Sequence, residues 1–381
     1  MSFAATFADT ADARRYNRLS RRLGMAESGL GLALMALLLA TGWTRLLRDL
    51  VFRVDRQNYV LALFLYVLAL AILSKLLSLG LDLYGFRLEH QYHLSNQRLR
   101  AWLWDQIKEF LVGLVISTIL AELFYLLVRK FPQTWWIVAW VVFMALSVLF
   151  VQIAPLVIFP IFYKFRPLNN PELRTRLTRL SERAGTKVRG VYEWVLSEKS
   201  KKANAALAGW GATRRIILAD TLLENYSSDE IEAVLAHELG HHVCRHILKS
   251  MIVQAFVSFA GFWLLKWVLR WVVLRKEWFI SQYDFANLPL IILVTTVLSL
   301  ALMPLLKAYS RFTERQADRY ALKSIAAVEP FISAMNKLAE QNLAERQPSR
   351  IVEILFHSHP PIAKRIAAAE AWGKERTMIR S

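Results

Sequence analysis

Residues 227–242 read SSDEIEAVLAHELGHH. His237 and His241 are four positions apart, which on an α-helix puts both rings on one face, one turn apart, where their nitrogens can grip one metal ion. Glu238 follows the first histidine and faces the open side of such a metal. This is the H-E-x-x-H arrangement of zinc hydrolases: two imidazoles hold Zn²⁺ and a glutamate serves as general base toward its water. The five-residue pattern also arises by chance, so a buried helix with two incidental histidines is the rival reading. The flanks argue for the helix itself. Ser227 sits at an N-cap with Glu230 at the capping-box position, and Ile231, Val234, Leu235 and Leu239 form an apolar stripe.

Working outward, the 381-residue chain is 55% hydrophobic with a mean hydropathy of +0.32. That suits a polytopic membrane protein better than a soluble enzyme. Its net charge is +18, from 48 Lys+Arg against 30 Asp+Glu. The basic residues flank apolar spans and match no nucleic-acid motif, so they read as lipid-headgroup and topology charges, with no nucleic-acid partner. The single Cys244 excludes an intramolecular disulfide and a cysteine-based zinc site.

The chain divides into five parts. Residues 1–28 form an N-terminal basic segment with no cleavable signal pattern. Residues 29–163 hold four spans: Gly29 to Leu50, Asn58 to Tyr84, Ile107 to Val128 and Thr134 to Tyr163, with a polar connection over 85–105. Residues 164–250 are a soluble segment containing the metal helix, an amphipathic helix over Glu172–Ala184, and strand character at Val188–Leu196, Ala203–Leu207 and Arg215–Leu218. Residues 251–307 hold two more spans, Val253 to Leu274 and Leu288 to Lys307. Residues 308–381 form a soluble helical tail. The fold class is therefore mainly α, with about six transmembrane helices and a soluble α+β domain.

The Arg-rich N-terminus should be cytoplasmic, and six crossings return the C-terminus to the same side. Arg45, Arg48, Arg53 and Arg56 oppose that orientation. Lys75, Asp82, Glu122, Lys266 and Arg270 fall inside apolar spans, where charge is costly. They either line a water-filled chamber, or pair between helices and snorkel.

Two histidines leave a catalytic zinc one protein ligand short. Glu314, in TERQADRYA just past the last span, can supply it, with Asp318 one turn on as its hydrogen-bonding support. A solvated acidic helix face explains the same residues. His357, His359 and His242 are candidates to donate to a developing oxyanion, with His359 better fixed than His357 by Pro360-Pro361; from the residues alone, a surface or capping role is the stronger reading for each. Asn204 and Ala205 lie in a segment that reads either as an edge strand to which a peptide could add, or as a plain surface strand.

HELGHH, TERQADRYA, SHPPIAKR, KKANAALAGWGATRRIILADTLL, FRLEHQYHLSNQ and IAPLVIFPIFYKFRPLNNPELRTRLTRLSERAG occur in one order over about residues 85–370. Together they resemble the type I CAAX prenyl endopeptidases, integral membrane zinc metalloproteases. The resemblance implies a gluzincin with His237, His241 and Glu314 on one Zn²⁺ per chain and Glu238 as base. It implies Asn204 and neighbouring backbone, Ala205 included, as the substrate edge, and His359 as a carbonyl-polarising group. It also implies Arg365 paired with Asp318. The family fold is a ring of tilted helices around a chamber, capped by the zincin-like domain. Eukaryotic-type members carry three spans before the FRLE-like segment; here two precede it.

The function so implied is a membrane-embedded zinc endopeptidase of CAAX type, in a bacterial inner membrane with its site at the cytoplasmic face. Its partners would be the lipid bilayer and a peptide or protein substrate, prenylated or membrane-associated. Two other readings stay open. One is membrane-protein quality control of the heat-shock type. The other is a scaffold or transporter with structural zinc, against which the single cysteine and Glu238 argue.

Overall fold

The structure, a computed structural model, describes residues 9–209, 214–274 and 278–380. The first helix, α1 (Ala11–Ala40), begins inside the basic segment, where the Thr10 hydroxyl accepts from Ala13 N–H at 3.0 Å. It ends earlier than the expected span to Leu50. The Thr41 hydroxyl donates back to Leu37 C=O, and Gly42 takes φ +74°, a left-handed geometry that glycine adopts without Cβ strain. A separate short helix, α2 (Trp43–Phe52), follows.

The next spans are longer than their apolar cores. Helix α3 covers Tyr59–Gln91 and α4 covers Leu99–Lys130, so the polar connection shrinks to residues 92–98. Hydropathy marks where a helix is greasy; hydrogen bonding carries it on into polar sequence. Helix α5 (Trp135–Ile153) passes through a π-helical turn (Ala154–Ile158) into α6 (Phe159–Phe162). Pro155 and Pro160 donate no backbone bond, and the turn widens so that Phe159 N–H reaches Ala154 C=O.

The soluble segment starts with β1 (Lys164–Pro167), which the sequence reading missed, and α7 (Pro171–Arg183). Strands β2 (Gly190–Val195), β3 (Ala205–Ala208) and β4 (Arg215–Ala219) follow. Among the described residues they form a four-stranded sheet of order β1-β2-β4-β3. The β2–β4 pair is parallel and the outer pairs are antiparallel, so β3 is an edge strand. A short helix, α8 (Asp220–Asn225), leads to the metal-motif helix α9 (Ser228–Val243). Leu177, Ile216, Leu218, Leu222, Ile231, Leu235 and Leu239 join sheet, α7 and α9 in one buried core.

Helix α10 (His246–Leu274) enters the apolar region directly after α9. Helix α11 (Leu288–Ser324) is continuous over 37 residues despite Pro304. The expected break near Lys307 is therefore absent: the TERQADRYA motif is the last turns of the final apolar helix. The chain closes with α12 (Glu329–Gln341), α13 (Arg350–Phe356) and α14 (Ile362–Arg380).

Among the described residues, six helices are long and apolar enough to cross a membrane: α1, α3, α4, α5 with its continuation, α10 and α11. They border a cavity of about 920 Å³ walled mostly by aliphatic and aromatic side chains, with Glu27, Lys75 and Glu109 among the few charges. Lys75 donates to Asp82 at 2.7 Å and Gln106 at 2.5 Å. Lys266 lies over the Trp136 ring at 5.0 Å. Both charges thus have side-chain partners inside the apolar region.

Candidate metal centre

Helix α9 is built to hold still. The Ser227 hydroxyl accepts from Glu230 N–H at 3.3 Å, and Glu230 accepts from Ser227 N–H at 2.7 Å, the reciprocal capping box. Glu230 also accepts from Ser333 at 2.5 Å and Lys337 at 2.7 Å, which ties the start of α9 to α12. Burial opposes its ionised form, yet these donors hold the carboxyl below its usual range.

Further along, α9 meets α11 at Gly240. A Cβ there would stand 2.8 Å from Ala317 Cα and 2.9 Å from its carbonyl oxygen. Only a residue without a side chain allows this approach. It brings His237, His241 and Glu314 together, with one donor atom from each lying within 4.8 Å of the others. His237 Nε2 is 3.3 Å from His241 Nε2. Glu314 Oε2 is 3.2 Å from His237 Nε2, and its Oε1 is 3.4 Å from His241 Nε2.

The donor set fits a metal ion. Glu314 Oε2 is buried and, among the described residues, accepts no well-aligned hydrogen bond, although His359 Nδ1 lies 2.7 Å away. Two imidazole nitrogens and one carboxylate, with an open side, match catalytic zinc. The electrostatics agree. Burial lowers the His237 pKa, but Asp318 and Glu314 overcome it and push it up to about 9, so this spot attracts a cation.

Outside the cluster, His237 Nδ1–H donates to Asp318 Oδ1 at 2.8 Å. Arg365 grips the same carboxylate through Nε at 2.8 Å and Nη2 at 2.5 Å. All three groups are buried. Glu238 is partly accessible, and burial raises its pKa against the pull of His237 and His241. A carboxylate so raised takes up a proton more readily, which suits a general base.

His359 is exposed, with 59% of its side chain open, while its Nδ1 faces Glu314. Its loop is held by Arg311, a residue the sequence reading passed over. The buried Arg311 guanidinium donates to Glu353 C=O at 2.8 Å and His357 C=O at 2.7 Å. It satisfies the C-terminal carbonyls of α13 and their dipole. His357 turns away toward Glu345. His242 is hydrogen-bonded to the Leu207 backbone on β3, and burial and Arg214 lower its pKa to about 4. Neither joins the cluster.

Asn204 precedes the edge strand. Its side chain is exposed and its carbonyl accepts from Ala219 N–H at 3.0 Å. Ala205 pairs with Leu218, and β3 packs beside α9. Two further residues escaped the sequence reading: His246 and Gln316, which stand behind His241. His246 lies beyond the helix-spacing window of the motif, and only the helix break at Arg245 brings it back.

Comparison with known proteins accords with this geometry. A family model described as Peptidase family M48 matches residues 167–373. Another, described as CAAX prenyl protease N-terminal, five membrane helices, matches residues 4–164. The uncharacterized metalloprotease YhfN of Bacillus subtilis is 33% identical over 308 residues, covering 80% of this chain and 72% of the relative. CAAX prenyl protease 1 of Saccharomyces cerevisiae is 30% identical over 327 residues, covering 79% and 70%. The crystal structure of S. mikatae Ste24p superposes with a TM-score of 0.86 at 25% identity, over 96% of this chain and 89% of that one. The chain belongs to peptidase family M48, as an integral membrane metallopeptidase of the CAAX prenyl protease type.

Proposed function

We propose that the chain is a zinc endopeptidase with one Zn²⁺ held by His237, His241 and Glu314. The observation that carries this reading is the convergence of the buried Glu314 carboxylate with one nitrogen each of His237 and His241. The bound metal would supply Lewis acidity to the attacking water and the scissile carbonyl. Glu238 takes a proton from that water and passes it to the leaving amine. His359, exposed beside Glu314, donates to the carbonyl oxygen as negative charge develops. Asp318 and Arg365 keep His237 in the tautomer whose Nε2 is free. The substrate extends as a strand beside β3, with Asn204 and Ala205 at its edge.

The substrate class is a C-terminal Cys-a-a-X peptide bearing a prenyl group, processed at the cytoplasmic face of a bacterial inner membrane. Purified protein is to be incubated with a farnesylated Cys-a-a-X peptide and its unprenylated twin. Faster, chelator-sensitive cleavage of the farnesylated peptide supports the reading. Equal cleavage overturns the prenyl requirement, and no cleavage of either overturns the substrate class.

A further inference from the structure

The two motif histidines of α9, His237 and His241, are backed differently. His237 leans on Asp318, a buried carboxylate whose charge Arg365 balances. His241 leans on something neutral. Helix α9 ends at Val243 with Cys244 as its cap, Arg245 takes φ +55°, and α10 starts at His246. That one left-handed residue turns the chain sharply enough to bring His246 beneath His241. The rings stand edge to face with centroids 5.0 Å apart. The two Nδ1 atoms are 3.0 Å apart, and His246 Nε2 is 2.8 Å from Gln316 Oε1. His246 is 3% exposed, so its hydrogen bonds are its means of satisfying two buried polar nitrogens.

We propose that His246 and Gln316 form a neutral relay that positions His241 for the metal, a proposal that rests on the zinc reading above. Only one proton arrangement uses every contact. With His241 Nε2 free for the metal, its Nδ1–H donates to His246 Nδ1, and His246 Nε2–H donates to Gln316 Oε1. The relay fixes the tautomer and ring angle, as hydrogen-bonding supports of metal-bound histidines do. It adds no charge. The Asp318 carboxylate and Arg365 guanidinium cancel, so apart from the general base Glu238 the uncompensated charge beside the metal is that of Glu314. A second carboxylate behind His241 would bind the metal more tightly and blunt its Lewis acidity. His246 and Gln316 are thus positioning residues that set affinity and electrophilicity together. Gln316 sits two residues past Glu314, so one turn of α11 supplies both a donor to the cluster and the end of the relay.

The test uses the full-length protein in detergent, with zinc affinity read by competition against a chromophoric chelator. His246→Leu should weaken zinc binding by about 10- to 100-fold. His246→Gln, which keeps a donor and an acceptor, should recover most of that loss. Gln316→Glu should tighten binding while lowering turnover. In cobalt-substituted protein, His246→Leu should shift the visible absorption bands, a readout that mere packing does not move. If His246→Leu fails to fold, Gln316→Leu carries the same test from the other end. Wild-type affinity and an unshifted cobalt spectrum in both leucine variants, with His237→Ala abolishing binding, would overturn the relay and leave the zinc site standing. Wild-type affinity in His237→Ala as well would overturn the zinc site itself.

Discussion

Gly240 on α9 and Ala317 on α11 meet backbone to backbone, and the metal cluster depends on that contact. His237 and His241 flank Gly240 on one helix; Glu314 and Asp318 flank Ala317 on the other. Gly240→Ala would drive a methyl into Ala317, whose backbone cannot step aside. The expected cost is about 1–3 kcal/mol of stability, together with weaker zinc binding as the helices part. Thermal unfolding in detergent and chelator competition read the two effects. An unchanged affinity would mean the contact does not set the cluster.

Glu238→Gln keeps the shape of the side chain and removes its basicity. Zinc content should stay at the wild-type level while kcat falls by about 10²- to 10⁴-fold. His237→Ala should lose the metal as well. Metal analysis beside peptide cleavage separates the two, and full activity in Glu238→Gln would remove it from the mechanism.

Asp318 and Arg365 form a buried pair, so single and double variants should not add. Asp318→Asn strands a buried guanidinium and should destabilise the protein by about 3–5 kcal/mol, with zinc affinity down about 10- to 100-fold. Pairing it with Arg365→Met should recover part of the stability but little of the affinity. Additive losses in unfolding experiments would contradict the coupling.

Arg311 acts on His359 through the backbone. Arg311→Lys retains charge but cannot span the same carbonyls. The zinc content should hold and kcat should fall more than KM rises, because the loop bearing His359 loosens. In the His359→Ala background, the same change should cost little more. A fall in zinc content instead would assign Arg311 to the metal cluster.

Glu230 links stability to pH. Its carboxyl titrates below the usual value of 4.5 in the folded protein because Lys337, Ser333 and the Ser227 N–H outweigh burial. Its contribution is therefore complete above that value, and it drains as pH falls through the lower folded one. Glu230→Gln should lower stability by about 1–3 kcal/mol near neutrality and flatten the acid limb of the unfolding profile. A parallel acid limb in the variant would rule this out.

The metal helix was legible because its signals are local. A four-residue spacing, a capping serine and an apolar stripe each act within a turn or two of one helix. The six apolar helices were legible for the same reason, since a run of greasy residues needs no partner to be recognised. Where each helix ends was not. Thr41 and Gly42 end α1, and α11 runs on past Lys307, because hydrogen bonds and neighbours, rather than hydropathy, set those limits. The gathering of distant residues belonged to tertiary structure. Glu314 was one acidic residue on a charged helix until the Gly240–Ala317 approach brought it to the histidines. His359 was already preferred for its Pro360-Pro361 turn, but only the fold set its Nδ1 against Glu314 and turned His357 toward Glu345. His246 reached His241 through one left-handed residue, Arg245. A single chain can state which chemistry is present; a contact between segments far apart in sequence depends on how both pack, and only the folded chain decides that.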